Sequence, residues 1–210
     1  MTWDGAVKSR EEQRELKRRA VLRAAAKIFN NKGFHGTSLD DVAEAMGVTK
    51  TALYYYFKNK EALLYECLKL SYGCGQTARL ESEARGGSAY QRFRYLYQRF
   101  MELLMEERGA YTTMENINAL PPERRDELLD QRRQFDRYSR MLLQKAIEEN
   151  SIRPVDVRIT SNYVLGAANW ILRWYAEDDS RSPQEISETF IDLFLHGICL
   201  PTVDDASHTD

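Results

Sequence analysis

The sequence predicts an all-α fold of about nine helices, with a small N-terminal helical domain and a larger helical domain behind it. Apolar residues recur three and four positions apart, for example at Val21, Ala24, Ala25 and Ile28, which is typical of an amphipathic helix. No segment alternates apolar and polar residues convincingly enough to predict a strand. The 210 residues are 43% hydrophobic and 30% charged, so we expect a globular protein with a substantial core.

Glycine, proline and capping residues divide the chain into its helices. Gly33 and Gly47 end the first two helices, because glycine enters a left-handed turn without steric cost. The proline pair at 121–122 opens a long helix that we expect to run to about Asn150. The segment 182–185, Ser-Pro-Gln-Glu, has the form of a capping box and opens the last helix.

Composition favours some classes of protein over others. The N-terminus lacks the apolar core of a signal peptide and no uncharged run is long enough to span a bilayer, so we expect a cytoplasmic protein without membrane contact. Cys67, Cys74 and Cys199 are an odd number without metal-ligand spacing, which favours a reducing compartment and predicts neither a metal nor a cofactor.

The charge is unevenly distributed along the chain. Residues 1–65 hold 12 Lys and Arg against 8 Asp and Glu, whereas the remainder holds 18 against 24. The net charge of −2 does not indicate a general nucleic-acid-binding protein. Basic residues in the first 65 positions and acidic residues in the remainder favour a DNA contact near the N-terminus, and ordinary surface charge is the alternative.

Residues 37–60 contain the pattern of a helix-turn-helix. Ser38 caps a first helix of about eight residues, which ends at Gly47. Thr49 caps a second short helix that covers residues 50–56. Two short helices joined by a tight turn that contains glycine are typical of proteins that place the second helix in the major groove of DNA.

The second helix carries side chains suited to DNA. Lys50 can donate to guanine O6 or N7, and Thr51 or Ala52 can meet a thymine methyl group. Tyrosine hydroxyls can donate to phosphate oxygens, and three consecutive tyrosines occupy positions 54–56. Lys60 follows at the start of another helix, where free N–H groups and an ammonium predict a phosphate site.

The alternative is that these tyrosines are core aromatics. We accept it for part of Tyr54, which lies next to Leu53. Three consecutive residues of a helix cannot all face one core, so the alternative does not explain the whole cluster.

The N-terminal region resembles the tetracycline-repressor (TetR) family over about residues 20–64. The matching residues, in order and spacing, are Ala24-Ala25, Phe29, Gly33-Phe34, Thr37-Ser38, Asp41-Val42-Ala43, Ala45, Gly47-Val48-Thr49, Leu53-Tyr54, Tyr56-Phe57 and Lys60-Glu61. The resemblance implies a three-helix DNA-binding domain, a helical ligand-binding and dimerisation domain, and a homodimer that a small molecule releases from a pseudo-palindromic operator. Carried across by position, it implies DNA contacts from Thr37, Ser38, Thr49, Lys50, Thr51, Ala52, Tyr54, Tyr55, Tyr56 and Lys60.

Three segments follow from this reading. Residues 1–65 form the helix-turn-helix domain with a basic N-terminal arm, which a solvated face of the first helix would explain equally well. Residues 66–200 form the ligand-binding and dimerisation domain, and residues 201–210 form a disordered acidic tail.

The larger domain offers residues for an effector site and a dimer interface. An effector site needs apolar walls with a few polar anchors, although plain core packing is the simpler alternative for any one residue. The predicted effector residues are Phe93, Phe100, Met114, Asn116, Ile117, Gln134, Tyr138, Met141, Asn169, Trp170 and Arg173. The predicted dimer-interface residues, on the last two helices, are Trp174, Ile186, Phe190, Leu193, Phe194 and Ile198.

Residues 169–175 and 182–186 also resemble a subgroup of this family that responds to acyl-CoA thioesters in fatty-acid, sterol or aromatic-acid degradation. This resemblance implies an acyl-CoA effector, whose phosphates need cationic partners. Arginines available for that task are Arg99, Arg132, Arg133, Arg137 and Arg173. A drug-responsive regulator of an efflux gene and a DNA-binding module without a ligand are the alternatives within the same class.

An enzyme is the alternative from another class, but no catalytic motif supports it. The three histidines are isolated, and HExxH, GxGxxG and GxSxG are all missing from the sequence. Residues 47–51, Gly-Val-Thr-Lys-Thr, lack the glycine spacing of a phosphate-binding loop. We therefore predict no enzymatic activity.

Overall fold

A computed structural model describes residues 9–106, 114–175 and 180–196. Within these ranges the chain forms eight α-helices and one 3₁₀ helix and contains no strand, which confirms the predicted all-α fold. The α-helices are α1 (Arg10–Lys32), α2 (Leu39–Ala45), α3 (Lys50–Tyr56), α4 (Lys60–Ala84), α5 (Ala89–Glu106), α6 (Pro122–Glu148), α7 (Val157–Trp174) and α8 (Pro183–His196), and the 3₁₀ helix is Met114–Ala119. None of the helices in these ranges is long and apolar enough to cross a membrane.

Side-chain caps fix where α2 and α3 begin. The Ser38 hydroxyl accepts a hydrogen bond from the N–H of Asp41 at 3.1 Å, and the Thr49 hydroxyl accepts one from the N–H of Ala52 at 3.2 Å. Gly47 lies between the two helices with φ 63°, in the left-handed region that favours glycine. The bounds of α3 are those that the sequence predicts.

The C-terminal helices α6 and α8 begin at the prolines where the sequence predicts helix starts. Helix α6 starts at Pro122 and α8 starts at Pro183. At the start of α8 the Ser182 N–H donates to Glu185 Oε2 at 2.7 Å, and the Glu185 N–H donates to Ser182 Oγ at 3.2 Å. This reciprocal pair is the capping box expected from the sequence. The predicted tail, residues 201–210, lies outside the described residues.

The chain divides into two compact units that do not follow chain order. The first comprises residues 1–77 and 107–137, and the second comprises residues 78–106 and 138–210. Helices α4 and α6 each contribute residues to both units. The first unit therefore contains the helix-turn-helix together with the 3₁₀ helix and the first half of α6.

The first unit has one continuous apolar core. Helices α1 to α4 supply most of it, with fully buried residues such as Leu22, Leu53 and Leu63. Ile117 and Leu128, from the segment that returns to this unit, belong to the same buried cluster. The core that supports α3 is thus built from residues more than 50 positions apart in sequence.

The second unit is organised around α5. Helix α5 packs against α7 and α8, and its side of the core includes the fully buried Tyr97. The Tyr97 hydroxyl lies 2.9 Å from Ser139 Oγ, which lies 3.1 Å from Ser161 Oγ. Because buried hydroxyls need partners, this chain of hydrogen bonds fixes how α5, α6 and α7 align within the unit.

Candidate nucleic-acid interface

Helix α3 has one buried face and one exposed face. Leu53 and the adjoining Phe57 are buried in the core of the first unit and anchor the helix. Lys50, Thr51 and Ala52 lie exposed in its first turn. The residues predicted to meet base edges are therefore accessible, and Leu53 holds the helix that carries them.

The three tyrosines divide differently from the expectation. Tyr54 is 44% exposed and Tyr55 is 69% exposed, so neither is a core residue. Tyr56 is half-buried and packs against the core of the first unit. Helix geometry places Tyr56, three residues after Leu53, on the inner side, so Tyr56 rather than Tyr54 is the most buried member of the cluster.

Lys50 is held by an acidic side chain of the preceding helix. Its Nζ donates to Asp40 Oδ2 at 2.8 Å and lies 5.9 Å from the centre of the Tyr54 ring. The hydrogen bond and the charge of Asp40 raise the pKa of Lys50 above its ordinary value. The ammonium is therefore charged, and it is already paired.

A second ion pair ties α2 to the end of α1. Lys32 Nζ donates to Asp41 Oδ1 at 2.8 Å, while Asp41 Oδ2 accepts from the Ser38 N–H at 2.7 Å. The hydrogen bond from Lys32 and those from Ser38 hold the pKa of Asp41 well below its usual range. Ser38 is exposed, but its hydroxyl donates to Asp41 Oδ2 at 2.5 Å, so a phosphate contact from that hydroxyl would have to replace this hydrogen bond.

Thr37 departs from its predicted role. Its side chain is only 3% exposed, and its hydroxyl donates to the Gly33 carbonyl oxygen at 2.7 Å. The hydroxyl is thus committed to the loop between α1 and α2. Thr37 shapes the approach to α2, which corrects the expectation that its side chain lies free to touch a phosphate.

Lys60 and Asn116 both bind the backbone of Phe34. Lys60 Nζ donates to the Phe34 carbonyl oxygen at 2.9 Å and lies 4.2 Å from the centre of the Phe34 ring. The Phe34 N–H donates to Asn116 Oδ1 at 3.3 Å. This Phe34 clamp joins the loop before α2 to the 3₁₀ helix, within the first unit.

Two basic residues of α1 contact residues at or beside the end of α3. The Arg14 guanidinium lies 5.8 Å from the centre of the Tyr55 ring. Arg18 forms an ion pair with Glu66 and lies 5.8 Å from the Phe57 ring centre. These two residues of α1 therefore lie near the C-terminal end of α3. Arg14 places a positive charge beside the ring of Tyr55, the most exposed of the three tyrosines.

The predicted effector residues fall into both units. Phe93, Phe100 and Tyr138 are buried in the second unit, and Met141 and Asn169 belong to the same unit. Asn116, Ile117 and Gln134 belong to the first unit, where Asn116 and Ile117 take part in the clamp and in the core. The side chains of Met114 and Arg173 lie outside the described part of the structure.

Trp170 was expected at the effector site, but it is 64% exposed and cannot be an interior wall of its own chain. It shares one face of α7 with other exposed apolar residues at helical spacing. We call this face the α7 stripe, and it consists of Ile159, Tyr163, Trp170 and Trp174.

The residues predicted for the dimer interface divide between surface and core. Trp174 and Leu193 are exposed, and Phe190 and Phe194 are half-buried. Ile186 is 3% exposed, so it is a core residue of its own chain, which corrects its place among the predicted dimer-interface residues. Ile198 lies outside the described residues.

Sequence reasoning missed Asp40 and Phe34 as partners of functional residues. Both contacts join residues ten or more positions apart, and a local pattern does not show them. The available signal for Asp40 was an acidic residue in the first turn of the helix before Lys50. Among the described residues, no group of three or more His, Cys, Asp or Glu is placed to hold a metal ion.

An exposed α3 held by a buried leucine, behind a capped α2 and a glycine turn, defines a helix-turn-helix DNA-binding regulator. Comparison with protein families agrees with this class. Residues 21–67 match the model "Bacterial regulatory proteins, tetR family", and residues 86–198 match "Tetracyclin repressor-like, C-terminal domain". The chain belongs to the TetR family of transcriptional regulators, whose members are DNA-binding proteins rather than enzymes.

Individual relatives match over different lengths. The HTH-type transcriptional regulator RutR of Escherichia coli is 47% identical over 68 residues, which cover 31% of this chain and 32% of RutR, so that match spans about a third of the relative. The HTH-type transcriptional repressor KstR2 of Mycolicibacterium smegmatis is 23% identical over 192 residues, which cover 87% of this chain and 90% of KstR2.

Solved structures share the fold along most of the chain. The TetR family regulator PfmR from Thermus thermophilus superposes with a TM-score of 0.71 at 28% identity, covering 92% of this chain and all of PfmR (100%). The ketosteroid transcriptional regulator KstR2 of Mycobacterium tuberculosis gives a TM-score of 0.77 at 21% identity, covering 93% of this chain and 98% of that one. At 21% identity, the second comparison speaks for the fold alone.

Proposed function

We propose that the protein is a transcriptional repressor that binds a pseudo-palindromic operator as a homodimer and leaves it when a small molecule binds. The observation that carries this proposal is the exposed first turn of α3, with Lys50, Thr51 and Ala52 presented on a helix that the buried Leu53 anchors. Small and cationic side chains at the start of such a helix can approach base edges in the major groove. Operator DNA as the target implies action in the cytoplasm.

Contacts to the DNA backbone complete the proposed interface. Tyr54 and Tyr55 carry exposed hydroxyls on α3 that can donate to phosphates, whereas the Ser38 hydroxyl already donates to Asp41 Oδ2. Such donors, with the N–H groups at helix starts, fix the register of a protein on DNA without reading its sequence. Lys60 lies at the start of α4 and is a further candidate for a phosphate contact, although its ammonium also donates to the Phe34 carbonyl oxygen.

The α7 stripe supports the homodimer. This apolar face carries two tryptophans and is exposed in the single chain. Exposed apolar patches rich in aromatic residues are typical of protein–protein interfaces. A two-fold axis that brings the stripe and the exposed Leu193 of α8 against their copies gives an isologous interface. In a protein that reads a pseudo-palindrome, the same axis relates the two copies of α3.

Release requires that effector binding change the position of the helix-turn-helix. Residues 107–137 belong to the same compact unit as that motif. The Phe34 clamp connects the 3₁₀ helix to the loop before α2. In addition, the Tyr65 hydroxyl of α4 donates to Glu127 Oε2 of α6 at 2.7 Å. A ligand that shifts α6 would thus act on α4 and on the loop before α2. By linkage, DNA would weaken ligand binding by the same factor.

We propose an acyl-CoA thioester as the effector. The similarity to KstR2 along nearly the whole chain supports this class, since one KstR2 is described as a ketosteroid regulator and sterol degradation is among the pathways suggested by the sequence. Arg99 is a poor phosphate ligand, because Glu81, Glu102 and Glu106 already surround its guanidinium.

Arginines of α6 remain for the CoA phosphates. Arg132, Arg133 and Arg137 are exposed on neighbouring turns of that helix. Arg133 pairs with Asp130 at 3.3 Å, which leaves part of its fork available to a phosphate.

The experiment has two stages. Wild-type protein first selects duplexes from a randomised pool, and the enriched sequence is expected to be a pseudo-palindrome with half-site centres about 34–36 Å apart or a multiple of that spacing. Acyl-CoAs, free CoA and lipophilic drugs are then titrated into the labelled complex while fluorescence anisotropy is followed. Release by an acyl-CoA supports the proposal. Release by drugs alone contradicts the acyl-CoA effector, and failure to enrich any duplex contradicts the operator.

A further inference from the structure

Asp40 and Lys50 connect the two helices of the helix-turn-helix on its exposed side. Their hydrogen bond of 2.8 Å joins the first turn of α2 to the first turn of α3. The two side chains are 60% and 56% exposed, so the pair lies at the surface where the bases are expected. The charged ammonium of Lys50 is therefore already paired with a carboxylate of the protein before any DNA arrives.

Asp40 does not take part in the capping box of α2. The capping box of α2 is made by Asp41, which also binds Lys32. Asp40 bonds instead to Lys50, and this contact is the largest cause of the raised pKa of that lysine. A carboxylate in this place repels the phosphates that a DNA-binding helix must approach.

We propose that Asp40 is a specificity determinant that keeps Lys50 as an internally paired charge until a suitable base edge replaces it. Phosphates occur on every duplex, so an unpaired lysine strengthens binding to any sequence. A guanine offers O6 and N7 together, which only some base pairs do. On the operator, the Lys50 ammonium leaves Asp40 and donates to guanine O6 and N7. On other DNA sequences it stays hydrogen-bonded to Asp40. This inference rests on the proposed operator binding.

The test is Asp40→Asn, which removes the charge and nearly preserves the shape. Binding of the wild-type and variant proteins is measured on the selected operator and on a scrambled duplex across a range of salt concentrations. On scrambled DNA we expect the affinity of the variant to rise about 1.5- to 5-fold, as for loss of an exposed ion pair. The slope of log affinity against log salt should steepen there by about 0.9, because one more phosphate is neutralised. On the operator that slope should change less, so that discrimination falls.

Two comparisons separate this mechanism from simple repulsion. Asp126→Asn makes the same change of charge on α6, at a side chain that is 67% exposed, and should leave the discrimination unaltered. In a Lys50→Ala background, Asp40→Asn should no longer steepen the slope. Equal strengthening on both duplexes in both backgrounds, or no change on either, would overturn the proposal. A wild-type protein that prefers no duplex would instead contradict operator binding itself.

Discussion

Trp170→Ala is the substitution that tests most directly whether the α7 stripe forms a dimer interface. Trp170 lies in the middle of the stripe and is 64% exposed in the single chain. Because its side chain contributes little to the core of its own chain, the substitution should leave the monomer folded. Any large effect on self-association would then come from a partner that covers the tryptophan.

The expected size follows from the area that remains to be covered. A tryptophan side chain buries about 150–250 Å² when it is fully covered. With 64% exposed, roughly 100–160 Å² is available, worth about 2.5–4 kcal/mol in each copy at 25 cal/mol per Å². An isologous dimer loses two such contacts, but alanine and relaxation of the interface recover part of them. We therefore expect dimerisation to weaken by about 4 kcal/mol, on the order of 10³-fold.

Sedimentation equilibrium over a wide range of concentrations measures this change. Leu16→Ala is the matched control, since Leu16 is 49% exposed on α1 and is not part of the proposed interface. The control should dimerise like the wild type, and circular dichroism should show unchanged helix content in both variants. If Trp170→Ala alters the dissociation constant by less than about threefold, the assignment of the stripe to the interface is refuted.

Three further predictions concern the packing of the helix-turn-helix domain, the pH dependence of its stability and the effector site. Leu53→Ala should lower the free energy of unfolding by about 2–5 kcal/mol in urea titrations, because it leaves a cavity beneath α3; a loss below about 1 kcal/mol would refute that packing. Since Lys32 helps to depress the pKa of Asp41, the stabilising contribution of Asp41 is complete above the unfolded pKa of about 4 and is lost as pH falls through the lower folded pKa. Urea midpoints at neutral and acid pH should therefore differ less in Asp41→Asn, and an equal difference would count against the pair. Replacing Arg133 and Arg137 by alanine should weaken release by acyl-CoA while sparing release by the same acyl group on N-acetylcysteamine, which lacks the phosphates; an equal loss for both would exclude phosphate binding there.

Local chemistry was enough to predict the helices of the DNA-binding region. Ser38, Thr49 and Gly47 determine starts and stops through hydrogen bonds within three residues or through backbone conformation. The buried Leu53 and the exposed Lys50 follow from helical periodicity alone. These features do not depend on which distant segment packs nearby, which is why the sequence was a sufficient guide.

The remaining features depend on contacts between distant parts of the chain. Asn116 is a predicted effector residue, but its amide oxygen accepts a hydrogen bond from the N–H of Phe34, 82 positions away. Trp170 and Ile186 are both apolar residues on amphipathic helices, and only their packing shows that the first is exposed and the second is core. Periodicity identifies an apolar face but not what covers it.

The reading of base edges by α3 is tested most directly by repeating the selection from a randomised duplex pool with Thr51→Ala. We expect the enriched motif to change at a position related by symmetry in both half-sites, while the rest of the motif persists, because Thr51 is exposed in the first turn of α3. Thr77→Ala, an exposed threonine on α4, should enrich the wild-type motif. An unchanged motif for Thr51→Ala would contradict the assignment of α3 as the helix that reads the operator.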